Sequence, residues 1–329
     1  MTQYEIEEGA NHIQTLFRKI KTFMEVPFGL PKLDVIAHQS IPVAIENYGL
    51  IGIRAVDFGH LENIRVITHE LLHQWLGNSV GPASWRDVCL QEGLTTYLEW
   101  CLAYHYESKV LHRPYISVTR MAANSVKAGL KLIDSNGAIS SRAPDADYNE
   151  IWGKCFQKLP LAFHMIRNIS KPGDFSSMVR LLVRKFANSS ASLDDWLSVF
   201  RQNSAKSPDF SRILKLWTHL YGYPILTVGP SCLKNVSHVA VRQYFYANSQ
   251  VHKNILPLEN FNEEDILMNI DTVNILMQEI ARKLWLYDTS LTCRECFGFK
   301  GALRSTYCQK YKWFALKGST IPEETYKLD

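Results

Sequence analysis

Several features that would settle the class of this chain at once are missing from it. Residues 1–11 are polar and acidic, without the basic start and apolar core of a signal peptide, and no apolar run elsewhere is long enough to span a bilayer. No transmembrane segment is therefore expected. There is no basic block either: 36 Lys and Arg against 32 Asp and Glu leave a net charge of +4 spread along the chain, unlike a phosphate-tracking surface, so nucleic acid is not an expected partner. Internal repeats and low-complexity linkers are absent, which excludes solenoid architectures.

Cysteine is present, but its number, seven, is odd in a chain too long to need disulfide staples. Four of the seven sit in helical or apolar contexts that suit buried thiols. A reducing compartment follows, and the chain as it stands is expected to be cytoplasmic. A cell-surface or secreted location is expected only if it is an amino-terminally truncated form, and only then would the sequons at Asn168, Asn188 and Asn235 matter.

What remains is an ordinary globular composition. With 329 residues and 46% hydrophobic content the chain can bury a large core, and its length suggests two domains. Helical spacing of apolar residues predicts helices at Ile6–Met24, Leu61–Trp75, Val88–Tyr106, Ile151–Ile166, Met178–Phe186, Leu193–Phe200 and Ile213–Leu220. Leu33–Ala37 and Leu50–Ala55, bounded by Pro and Gly signals, read as strands. After Gly222-Tyr223-Pro224 the pattern turns β-branched and alternating, giving strands at Ile225–Val228 and Val236–Tyr246, before a helical pattern returns over Glu263–Leu286.

The chemistry is concentrated in His69-Glu70-Leu71-Leu72-His73, inside a helical run. A four-residue step turns a helix by about 400°, so both imidazoles leave one face about a turn apart and can clamp a metal ion. Zinc takes imidazole nitrogen and carboxylate oxygen, and catalytic sites keep three protein ligands with one position open. Glu92, nineteen residues after His73, is the natural third ligand, because Gly77, Gly81 and Pro82 end the first helix and a second from about Trp85 can bring it back. Glu70, about 100° round the helix, can take a proton from an attacking water without competing as a ligand. One Zn2+ per chain is expected.

With those residues in place, His69 to Trp100 resembles the gluzincin aminopeptidases of the aminopeptidase N family. Upstream, Pro31-Lys32-Leu33-Asp34 and Val43-Ala44-Ile45-Glu46-Asn47-Tyr48-Gly49-Leu50 look like the family's strand and its Gly-Ala-Met-Glu-Asn exopeptidase motif. Val43 replaces the glycine of that motif and Ile45 the methionine. Downstream, Leu216 to Val228 resembles the end of a catalytic domain entering a β-sandwich.

The resemblance implies a mainly helical α+β fold: a thermolysin-like zinc peptidase domain over residues 1–220, a partial β-sandwich over 221–260 and a helical or irregular tail over 261–329. It implies a zinc-dependent aminopeptidase whose partner is a peptide with a free amino terminus. Glu46, with Asn47, would bind that terminus. One departure weakens the expected catalysis. The family's oxyanion-binding tyrosine corresponds here to Phe156, which cannot donate a hydrogen bond; Tyr148 is the nearest substitute. This motivates a rival expectation, a catalytically weak zinc protein that binds peptide termini or a protein partner. An endopeptidase would require Glu46 to lie away from the cleft. Among weaker signals, Cys293 and Cys296 with Cys308 read as free thiols rather than as part of a second metal site, which would need four ligands and lacks a second pair, Tyr244-Phe245-Tyr246 as strand core, and His164 as a packed core histidine rather than a ligand.

Overall fold

Apolar residues at helical spacing build the first element, α1 (Gln3–Met24), which buries Leu16, Ile20, Phe23 and Met24. The computed structural model describes residues 2–58, 64–112, 116–136, 152–202, 210–219, 223–230, 238–246 and 266–269. Expectations for Tyr148, Asn235, Cys293, Cys296 and Cys308 lie outside those residues.

A small sheet follows α1. Its strands are β1 (Asp34–His38), β2 (Ala44–Ile45) and β3 (Leu50–Arg54), with β3 central, parallel to β1 and antiparallel to β2. Ile51 and Ile53 face the core, while Ile36, Val43, Ile45 and Leu50 remain exposed.

The two helices that carry His69, His73 and Glu92 form the centre. α2 (Ile64–His73) packs against α3 (Val88–Lys109), which a 3-10 turn at Trp85–Asp87 introduces. Side chains all round α3 are buried, as expected of a helix covered on every side. Gly77, at φ +115°, makes the sharp exit from α2 that a side chain would obstruct, because a Cβ there would sit 3.1 Å from His73 Nδ1. β4 (Val80–Pro82) lies in the connection and pairs in parallel with β5 (Ser189–Ala191).

The remaining helices cover this centre: α4 (Val118–Asn136), α5 (Leu159–Ile169), α6 (Asp174–Lys185), α7 (Leu193–Gln202) and α8 (Phe210–His219). The sequence pattern did not single out α4. Residues Trp152–Lys158, expected as the first part of one continuous α-helix with α5, are wound as a π-helix. Pro160 has no N–H to give the Phe156 carbonyl, and its ring crowds that carbonyl, so regular i to i−4 bonding fails there.

Strands β6 (Tyr223–Pro230), β7 (His238–Tyr246) and β8 (Ile266–Asn269) form an antiparallel sheet in that order. The first two occupy the expected strand segments. β8 corrects the helical reading of Glu263–Leu286 at residues 266–269, whose Ile-Leu-Met-Asn run pairs with β7 because such a short apolar run fits a strand as well as a helix; the rest of that expectation lies outside the described residues. The described residues form one sheet there, and they include no helix long and apolar enough to cross a membrane.

The thiol expectation is also corrected. Cys89 of α3 and Cys155 of the π-helix are joined in a disulfide with their Cα atoms 4.2 Å apart. Gly93 explains the proximity: a Cβ at that position would lie 2.4 Å from Leu159 Cβ and 3.4 Å from the Cys155 carbonyl oxygen, so the two segments touch where α3 lacks a side chain. Cys101 keeps its thiol, and burial pushes its pKa up to about 11.

Candidate metal centre

α2 presents His69 and His73 one turn apart, their rings 4.6 Å between centroids, and α3 brings Glu92 across to meet them. Glu92 Oε2 lies 3.5 Å from His69 Nε2 and 3.4 Å from His73 Nε2. Ligands held about 2.0–2.2 Å from a tetrahedral zinc lie about 3.3–3.6 Å from each other, so these separations suit zinc without rearrangement. Among the described residues this is the cluster of His, Cys, Asp or Glu able to hold a metal ion.

The far side of each imidazole is engaged in a way that leaves Nε2 facing Glu92. His73 Nδ1 donates to the Leu76 carbonyl at 2.8 Å, which fixes its proton on Nδ1 and its lone pair on Nε2. His69 Nδ1 meets Glu99 Oε2 at 3.0 Å, and Arg65 donates to Glu99 Oε1 from Nε at 2.7 Å and from Nη2 at 2.6 Å. A carboxylate behind a ligating imidazole orients the ring and raises its basicity. Glu99 and Arg65 were not anticipated, although their spacing offered a signal: Glu99 is two turns beyond Glu92, and Arg65 one turn before His69.

The electrostatics agree with a cation site. Burial works against protonated His69, but its hydrogen bonds to Glu92 and Glu99 outweigh that and raise its pKa well above the ordinary value. For His73 burial is likewise outweighed, chiefly by the charge of Glu92. Burial alone would raise the Glu92 pKa, yet the two histidines pull it far below the usual carboxylate range. The carboxylates thus concentrate negative potential where two ring nitrogens converge.

Glu70 is buried one residue beyond His69, and its Oε2 has no hydrogen-bond partner. Burial pushes its carboxyl up; His69 and His73 draw it down, while the charges of Glu46 and Glu92 add to the rise. That coupling puts Glu46 within electrostatic reach of the centre. Glu46 is half-buried on the loop joining β2 to β3, and Asn47 is exposed beside it.

The same helix end that carries His73 holds this loop. Asn78 Nδ2 donates to the Glu46 carbonyl at 2.5 Å, and Gln74 Nε2 approaches the Glu46 and Asn47 carbonyls at 3.5 and 3.4 Å. The Gly49 amide donates to Gln74 Oε1 at 2.9 Å, with Gly49 at φ +77°. Gln74 and Asn78 therefore hold the backbone of the Glu46 loop against the end of α2, a role that composition did not reveal.

From the π-helix, the half-buried Phe156 ring stands 6.0 Å from the His69 ring, tilted by 34°. It offers no donor. His164 is away from the metal cluster, buried edge-on against Tyr97, with its pKa pushed down to about 4 by burial. It is the packed histidine expected.

The sequence profile of the Peptidase family M1 domain matches residues 8–217. Among curated proteins, glutamyl aminopeptidase of Sus scrofa is 26% identical over 69% of this chain and 25% of its own length. Aminopeptidase 2, mitochondrial, of Saccharomyces cerevisiae is 30% identical over 68% of this chain and 25% of its own. The thyrotropin-releasing hormone-degrading ectoenzyme of Rattus norvegicus is 26% identical over 76% and 25%. The chain thus spans about a quarter of the length of these relatives. Among solved structures, the E323A mutant of an M1 zinc metallopeptidase from Deinococcus radiodurans shares the fold, with a TM-score of 0.50 and 22% identity over 63% of this chain and 44% of that one.

Proposed function

Because this chain belongs to peptidase family M1, we propose that it is a zinc-dependent aminopeptidase, removing amino-terminal residues from peptides. The convergence of His69, His73 and Glu92 carries this reading. These three residues would hold one Zn2+, and zinc bound there supplies Lewis-acid polarisation of a peptide carbonyl and activation of a water. Glu70, with an unpartnered buried oxygen, accepts the proton of the attacking water and delivers it to the departing amine. Glu46, with Asn47 beside it, pairs with the substrate ammonium and so holds the first peptide bond at the centre. The substrate class is peptides with a free amino terminus.

The same reading assigns residues 1–220 to the catalytic unit, 221–260 to a partial β-sandwich and 261–329 to a carboxy-terminal tail. The family match ending at residue 217 supports the first boundary.

Phe156 favours a second reading, in which the protein binds zinc and peptide termini but turns them over poorly. Loss of one oxyanion donor costs about 10²–10³ in rate.

Zinc analysis together with hydrolysis of aminoacyl amides, on wild type and Glu70→Ala, tests both. One zinc per chain with turnover that depends on Glu70 is the expected result. Zinc with no turnover above the Glu70→Ala background would favour the binding protein, and absence of zinc would sink both readings.

A further inference from the structure

The three metal-binding side chains are not held equally. His69 is fixed from behind by Glu99, and His73 by the Leu76 carbonyl. Among the described residues Glu92 meets the two imidazoles alone, so its aim depends on where α3 sits. Besides α2, α3 packs against the π-helix and α5, and at Gly93 these segments meet closely, with Leu159 and the Cys155 carbonyl standing where a side chain would be. The Cys89–Cys155 bond ties α3 to the π-helix one turn from that contact. Cys89 lies three residues before Glu92, on the same side of α3, and Cys155 directly precedes Phe156, whose ring faces His69.

We propose that the Cys89–Cys155 disulfide is a positioning device for the metal centre, holding Glu92 against the imidazole pair, so that its reduction by a dithiol weakens zinc binding. The inference rests on the metal reading above. In the reduction, a dithiol's thiolate attacks Cys89 Sγ, the less deeply buried sulfur, and Cys155 leaves as a thiolate and takes up a proton. The second thiol of the reductant then attacks its own mixed disulfide and releases the Cys89 thiol. Two electrons pass from the dithiol, which ends as a cyclic disulfide. The couple follows the compartment: the bond persists in oxidising surroundings and opens in reducing ones. The same polypeptide would therefore hold zinc tightly in one setting and loosely in the other.

The test compares zinc affinity, by competition with a chromogenic chelator, in four preparations of the full chain. These are oxidised wild type, wild type reduced with dithiothreitol and freed of it anaerobically, the Cys89→Ser/Cys155→Ser variant, and Leu182→Ala. The last is a core truncation in α6 that lowers stability without touching the site. Peptide mapping reports the bond, and far-UV circular dichroism the helices. The expected result is a mapped Cys89–Cys155 link, and a loss of zinc affinity of about 10–100-fold on reduction or double substitution, with helix content kept. The double variant should not respond to reductant, and Leu182→Ala should melt earlier but bind zinc as wild type does.

Unchanged zinc affinity on reduction overturns the proposal. So does an equal loss in Leu182→Ala, absence of the link in protein purified without reductant, or global unfolding on reduction, since the bond would then hold the fold rather than the site. If the double variant does not fold, the wild-type pair decides. Oxidised protein that binds no zinc defeats the metal reading as well, whereas oxidised protein that binds zinc indifferently to reduction defeats the staple alone.

Discussion

Replacing Glu99 by Gln isolates what stands behind a ligand from the ligand itself. The substitution keeps the volume of a buried side chain and leaves Glu92 untouched. It removes a negative charge that now faces His69 Nδ1 through one oxygen and Arg65 through the other. A neutral amide can accept from only one of them through its single oxygen, and its NH2 group repels the second donor. Loss of such an outer partner typically weakens metal binding about 10–100-fold, which is about 1.4–2.7 kcal/mol. The effect on the fold should be smaller. Arg65 is about one-third exposed and can return to water, so the lost pair should cost about 1 kcal/mol or less. Zinc affinity is read by chelator competition and stability by urea unfolding of the metal-free protein, alongside Glu92→Gln as the variant lacking a ligand. If Glu99→Gln held zinc as tightly as wild type while Glu92→Gln lost it, the coupling of Glu99 to the centre through His69 would be wrong.

Three further outcomes are expected. Phe156→Tyr should raise kcat on aminoacyl amides by about 10²–10³ if the new hydroxyl reaches the oxyanion; steady-state kinetics with unchanged zinc content checks it, and no gain would mean that this position does not face the scissile carbonyl. Asn78→Ala frees the Glu46 carbonyl and should raise KM for substrates with a free α-amine several-fold, on the order of the 0.5–1.5 kcal/mol of one hydrogen bond, with zinc retained; a blocked-amine substrate serves as the control. His164, whose folded pKa of about 4 lies below its ordinary 6.5, is neutral in the fold and takes up a proton on unfolding. Its contribution is therefore full above about pH 6.5 and is lost as pH falls towards 4, by about 3 kcal/mol in all. The stability difference between wild type and His164→Leu should vary with pH over that window and be flat above it; a difference independent of pH would show that His164 is not buried neutral.

The parts of the site that were legible in the sequence are those that sit on one helix or follow from chemistry that admits few alternatives. His69 and His73 share a face by periodicity alone, and zinc's need for a third ligand singled out Glu92. Glu46 could be recognised only through the family resemblance, because a loop carboxylate carries no period. Glu99 and Arg65 escaped notice since a Glu and an Arg on helices resemble any solvated pair until tertiary packing buries them. The disulfide joins residues 66 apart on separate elements, and nothing local distinguishes its cysteines from buried thiols. α4 was overlooked although Val118, Met121, Ala122 and Val126 recur at helical spacing, and the strand β8 was misread because a short apolar run fits either period.

The π-helix at Trp152–Lys158 has a consequence for how this wall of the cleft can change. Such a segment is in effect an α-helix that has absorbed an extra residue, which offsets the chain before it from the chain after it by about 100° of rotation. Which side chain is turned towards His69 is thus a matter of counting. Deleting a single residue there would turn Phe156 away from His69 and offer a neighbour in its place. Length variation over these seven positions is therefore a more powerful way to rewrite the wall than substitution at any one of them.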